Sequence, residues 1–174
     1  MVTLSAFFGA VMFTLFLFRP FIPTFLANVY SYEGFEIGVL GSFSFLGSAV
    51  LGITLGKIGD KFKKAYALAA ALIIVGFSLA MFVLLGDFRV LVVTHLLIGA
   101  SYLSWPLMSA IIGPHAPESA RAFSVAVPLT VGMFASTFAP YVGGVLYEAS
   151  PYFPFAFAIA AASLLAVFAF AALD

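Results

Sequence analysis

No cysteine occurs anywhere in the chain. Disulfides, thiolate metal sites and thiol redox chemistry are therefore excluded, although the compartment is not fixed by that absence. Charge is nearly as scarce. Seven basic and seven acidic side chains make up 8% of the residues, against about 25% in soluble domains. The two signs cancel, and no basic stripe points to nucleic acid. The sequence has no glycine-rich phosphate loop, so it is not itself an ATPase, and no G-x-S-x-G or H-E-x-x-H that would mark a hydrolase. With no readable nucleophile–base pair and no ligand cluster, the chain reads as a non-enzyme that needs no cofactor and no metal.

What is present is hydrocarbon. Residues of the apolar class make up 64% of the chain and mean hydropathy is +1.21. A globule of this size still needs a polar skin, so the bilayer is the solvent this composition fits. A spanning helix takes about 20 apolar residues. Six stretches qualify: 4–30, 36–56, 65–85, 89–112, 122–147 and 152–173. They fill the chain and leave no room for a soluble domain. The runs are continuous, not alternating in strand-length units, which favours helices over a barrel. The first run is longer than a signal-peptide core and no Lys or Arg precedes it, so it reads as a span. The expected fold is all-α: one six-helix membrane domain over 1–174.

The few charges are concentrated. Five of them fall in GKIGDKFKK, residues 56–64. Short loops rich in Lys and Arg stay on the cytoplasmic side. Lys57, Lys61, Lys63 and Lys64 mark the second loop and Arg121 the fourth, while the odd-numbered loops hold Arg89 alone. Even loops, and with them both termini, are expected in the cytoplasm, with the chain in the cell membrane. Gly56 and Gly59 let helix ends approach and turn. Asp60 is expected where the third helix begins, since a carboxylate is favoured at a helix N-terminus.

This loop resembles the signature between the second and third helices of major facilitator superfamily transporters: Gly, any, Leu, any, Asp, Arg/Lys, any, Gly, Arg, Arg/Lys. Gly56, Asp60 and Lys61 match it; Ile58 and Lys64 match conservatively; Lys63 stands at the second Gly. The resemblance implies that the Asp helps hold one state of the access cycle. APYVGG, residues 139–144, is similar to the family's Gly-Pro-x-x-Gly-Gly pattern, with Ala139 at the first Gly. His95, four residues before Gly99, stands where the family's first half often has Arg, which points to the second half. The resemblance implies two inverted three-helix repeats, helix one matching four and helix two matching five, in one six-helix half of a twelve-helix permease.

Small residues form two stripes at four-residue spacing: Ser44, Ser48, Gly52 and Gly56 on helix two, and Gly132, Ser136, Pro140 and Gly144 on helix five. Such stripes allow close backbone approach. They serve either the interface between two halves, as the resemblance implies, or packing inside the six-helix bundle.

Arg19 is the one Lys or Arg well inside a span. Such a charge costs about 2.5–3.5 kcal/mol on insertion scales, so something must offset it. Carbonyls freed by Pro20 and Pro23, water, a carboxylate or a substrate anion are the candidates. His95, Tyr102, Ser104 and Trp105 lie on helix four. In the family helices one and four line the central cavity, which makes Arg19, His95, Tyr102 and Trp105 candidate cavity residues. Packing remains open for the last three, and His95 is also a candidate proton carrier. No Asp or Glu sits well inside a span. Tyr30 and Tyr32 read as interface anchors.

The best reading is a membrane permease that moves a small solute by alternating access, paired with a second half that is either another copy or separately encoded. The alternative is a non-transporting relict or assembly subunit that retains the fold.

Overall fold

The structure is a computed structural model, and it describes residues 2–115 and 118–172. Met1, Ala116, Pro117, Leu173 and Asp174 fall outside it, as do the side chains of His115 and Arg121. Among the described residues all regular structure is helical. Six helices are long and apolar enough to cross a bilayer: Val2–Tyr30, Gly34–Lys61, Lys64–Leu84, Phe88–Ile112, Ala122–Ala149 and Phe153–Ala172. In lipid a spanning segment must satisfy its own backbone polar groups, and a helix does so.

The packing order identifies the architecture. The first span packs most closely on the fifth, the second on the fourth, and the third on the sixth. Exchanging one with four, two with five and three with six leaves this list unchanged. That is the pattern of two inverted three-helix repeats. The third and sixth spans form the back. Ala158, Ala162, Ala166 and Ala169 are buried along the sixth span, and Ala67, Ala69 and Ala71 on the third, a small-residue seam that brings backbones together.

The other two pairs close on glycine. A Cβ at Gly47 would land on the Leu96 carbonyl of the fourth span, and one at Gly143 on the Leu17 carbonyl of the first. Gly99 sits equally tightly against Ser44 and Ser48, and a Cβ at Gly132 would lie 2.7 Å from the Phe8 ring. The small-residue stripes therefore supply the closest contacts inside the bundle. Ser44 and Ser136 are buried within this chain, Gly52 lies against Leu103, and Gly144 lies near Phe21. Of the seven residues named for the surface between halves, Ser44, Gly132 and Ser136 are buried within the bundle, while Ser48, Gly52, Pro140 and Gly144 are part-covered and still accessible. What the second and fifth spans leave bare is bulkier: Phe45, Val50, Ile53, Phe134, Phe138 and Tyr141.

The expected placement of the 56–64 stretch is corrected. The second span runs through Lys61, and only Phe62 and Lys63 separate it from the third. Gly56 and Gly59 are inside the helix, not in a turn. Nothing approaches Gly56 within 4 Å, whereas a Cβ at Gly59 would meet that of Ala67 at 3.3 Å, so Gly59 alone permits a close approach. Asp60 is exposed in the last turn of the second span, not at the start of the third. Lys61, also exposed, suits that position, because cations complement a helix C-terminus.

At the opposite end Tyr30 and Tyr32 are more than interface anchors. Tyr30 Oη donates to the Phe82 and Val83 carbonyls at 2.8 and 3.0 Å, and Tyr32 Oη to the Gly86 carbonyl at 2.8 Å. These satisfy acceptors that the end of the third span leaves open. Burial, with Glu36 and Asp87 nearby, pushes the Tyr32 phenol up, so it remains a donor.

Candidate functional site

Two spans are interrupted near their middles. In the first, Pro23 has no N–H to give the Arg19 carbonyl, which instead takes Ile22 N–H at 3.3 Å. Helix Val2–Phe18 stops there and Phe21–Tyr30 resumes. In the fourth, Pro106 likewise removes the N–H that would reach the Tyr102 carbonyl. The backbone tightens to a 3-10 turn over Gly99–Leu103 before Ser104–Ile112 continues. A 3-10 stretch inside a longer helix often marks a hinge. The interruptions occupy corresponding places in the two repeats. Each lies just beyond the carbonyl that receives a glycine, Leu17 before Arg19 and Leu96 before Gly99.

Arg19 joins them. Its Nη2 donates to Ser101 Oγ at 2.8 Å. The guanidinium carbon lies 4.3 Å from the Tyr102 ring centroid and 5.4 Å from that of Phe16. A cation over an aromatic face gains about 0.5–2 kcal/mol, the higher figure where water is excluded. Part of the insertion cost is thus offset by a hydroxyl and two rings, not by the carbonyls that Pro20 and Pro23 loosen. Nε is buried and has no acceptor among the described residues. No carboxylate is at hand either: Glu36, Asp60 and Glu148 all sit in terminal turns of their spans.

Two cavities share Arg19 and Tyr102 as a common wall. One, of about 270 Å³, is lined by Met12, Leu15, Phe16, Ser101, Trp105 and Met133 besides. The other, of about 150 Å³, adds Ser44, Phe45, His95 and Ile98 among its walls. Four of the expected cavity residues, Arg19, His95, Tyr102 and Trp105, are therefore gathered at one place. Tyr102 and Trp105 are both part-exposed, Tyr102 stacked on Phe45 at 5.2 Å and Trp105 edge-on to Phe8 at 5.8 Å. His95 is deeper, 2% exposed. Its Nδ1 lies 2.8 Å from the Leu91 carbonyl. A carbonyl only accepts, so Nδ1 carries the proton and Nε2 is the nitrogen open to a second one. The ring also packs edge-on against Phe82 at 5.8 Å, so packing and cavity lining are both realised in this residue.

Ser101 was not legible as a partner of Arg19. It lies in SYLS between Gly99 and Pro106, and that pair of helix breakers is the signal that the backbone, and any hydroxyl on it, turns toward the neighbouring span. Ser44 belongs to the cavity wall as well as to the contact with the fourth span. The conformational-motif residues Gly56, Gly59, Asp60, Lys61 and Lys64 lie at the end of the second span and start of the third, and none of them lines either cavity.

The family model described as Major Facilitator Superfamily matches residues 3–173. No curated protein matches the chain.

Proposed function

The chain belongs to the Major Facilitator Superfamily, and from that premise we propose that it moves a small solute by alternating access through the two cavities at Arg19. It is an integral membrane protein and a transporter of that superfamily. The observation that carries the finer reading is the Arg19–Ser101 bond. It ties together the interrupted middles of the first and fourth spans, and the cavities lie directly on it. Bending at two such interruptions would change which side of the membrane the cavities face.

The working form is a pair of six-helix halves, the second being another copy or a separately encoded unit. A single unit leaves Arg19, Tyr102 and Trp105 on a wall with no opposite wall, and lipid solvates a guanidinium poorly. The exposed Phe45, Ile53, Phe134 and Tyr141 on the flanking second and fifth spans form the surface a second half would cover. Both termini lie on the cytoplasmic side of the cell membrane, in keeping with the lysines exposed at 57, 61 and 63 and the positive-inside rule.

Asp60 acts at that cytoplasmic end. Because it is exposed and sits at the wrong end of its own helix for a carboxylate, Asp60→Asn is expected to leave insertion and melting unchanged. Transport should fall by about fivefold if one state of the cycle brings Asp60 to a helix N-terminus of the second half, a contact of roughly 1 kcal/mol. Unchanged uptake by a correctly inserted Asp60→Asn protein would reduce the 56–64 stretch to a topology anchor.

The direct test is flux. Proteoliposomes holding the chain, alone and with a candidate second half, are loaded with a mixed solute pool, and release is followed. Saturable release of one solute class supports the reading. No release of any class from correctly inserted protein, with or without the second half, would favour an assembly subunit.

A further inference from the structure

We infer that the solute taken at Arg19 is an organic monoanion with an apolar body, its carboxylate-like head held by the guanidinium. This rests on the reading of the Arg19 cavities as the transport site. The charge argument comes first. Arg19 is a fixed cation between two cavities, and no Asp or Glu lies in the middle of any described span. Its hydrogen-bond partner is a neutral hydroxyl, its nearest faces are rings, and its buried Nε–H has no acceptor among the described residues. A half-buried charge with a buried, unmet donor is costly, and an arriving anion relieves both deficits. This wall offers one fixed positive charge for one negative charge, which matches a monoanion wherever the facing wall adds no second cation.

The walls select the rest. Around Arg19 the larger cavity presents Met12, Leu15, Phe16 and Met133, with the Ser101 hydroxyl, the phenol of Tyr102 and the indole N–H of Trp105 as its other polar groups. A sugar would bury many hydroxyls there without partners. An amine would be repelled by Arg19, and an amino-acid zwitterion would find no carboxylate for its ammonium. Binding sites for drug-sized ligands run from about 300 Å³ upward. The parts of the site on this wall, about 150 and 270 Å³, have room for one ring or a short alkyl chain.

The chain has a single tryptophan, and it is Trp105 on this wall, so its fluorescence reports occupancy directly. The purified protein in lipid nanodiscs, with any second half that co-purifies, is titrated with cyclohexanecarboxylate and hexanoate. The same titration uses their neutral amides and cyclohexylmethylamine. The expected result is a saturable change with at least one acid and at least tenfold weaker binding of its amide and of the amine. Arg19→Gln should weaken the acid tenfold or more without altering the amide. The acid–amide comparison on the unaltered protein stands even if the variant fails to fold. Equal binding of acid and amide, stronger binding of the amine, or no saturable change with either acid overturns the inference. Binding is read separately from flux. Arg19-dependent acid binding without flux leaves the ligand class standing and removes the transport reading. Flux of a neutral or cationic solute that survives Arg19→Gln does the reverse.

Discussion

Arg19→Ala is expected to cut transport by about 100-fold while the protein inserts at least as well as before. The two halves of this result have different origins. Insertion improves or stays level because a side chain costing about 2.5–3.5 kcal/mol in mid-bilayer is removed. Transport falls because the Nη2–Ser101 bond at 2.8 Å and the free Nε–H disappear together, and a hydrogen bond involving a charged group contributes about 1.5–3 kcal/mol. Arg19→Lys should recover less than a tenth of the lost activity. Lysine keeps the charge but has no planar fork, so it cannot stack on Tyr102, bond Ser101 and still present an aligned N–H. Initial uptake rates, normalised to protein inserted in the membrane, measure this. Near-normal uptake by Arg19→Ala would make the guanidinium a packing element.

Gly47→Ala and Gly143→Ala are expected, with Gly99→Ala, to be among the most damaging single-methyl additions. The first two each put a Cβ onto a main-chain carbonyl of the neighbouring span, Leu96 and Leu17 respectively. A side chain could rotate away, but a helical carbonyl cannot move without its helix. Overpacking of this kind costs about 1–3 kcal/mol and occasionally more. Thermal melting in detergent should fall clearly for both, and transport with it. Gly38→Ala is the control: nothing lies within 4 Å of that position, and its melting should not change. The same logic applies to Ser136→Leu. Ser136 is buried inside this chain, so the larger side chain should disturb the six-helix bundle itself, not only its pairing. If Gly47→Ala melts like the unaltered protein, the second and fourth spans are not as close as described.

The six spans were legible because length and hydropathy alone define a crossing helix, and their ends differ from the expected ones by a few residues at most sites. The second span is the exception. Lysines and an aspartate read as a loop at 57–61, yet the helix continues through them to Lys61, because charged residues beyond the hydrocarbon can stay helical in water. That Arg19, His95, Tyr102 and Trp105 lie near one another was expected from the resemblance, in which helices one and four both line the central cavity. The register of the small residues was not. Ser44, Gly47, Ser48 and Gly52 fall on one broad face of one helix, and which of them closes on a neighbour depends on where the partner offers a carbonyl. The Leu96 and Leu17 carbonyls decide it, and they belong to backbone that no side-chain pattern displays. Ser101 escaped for a related reason: a 3-10 turn rotates the residues after it away from α-helical spacing.

The absence of cysteine from the chain makes one measurement especially clean. Met133→Cys places a lone thiol on the wall of the 270 Å³ cavity, at a position 49% exposed. Sealed vesicles holding the assembled transporter are treated with a membrane-impermeant thiol reagent from one side or the other, with and without the solute found by flux. Alternating access through the Arg19 cavities predicts labelling from each side, with the solute raising one rate as it lowers the other. Labelling from neither side under any condition, or from both sides with rates that the solute leaves untouched, would contradict it.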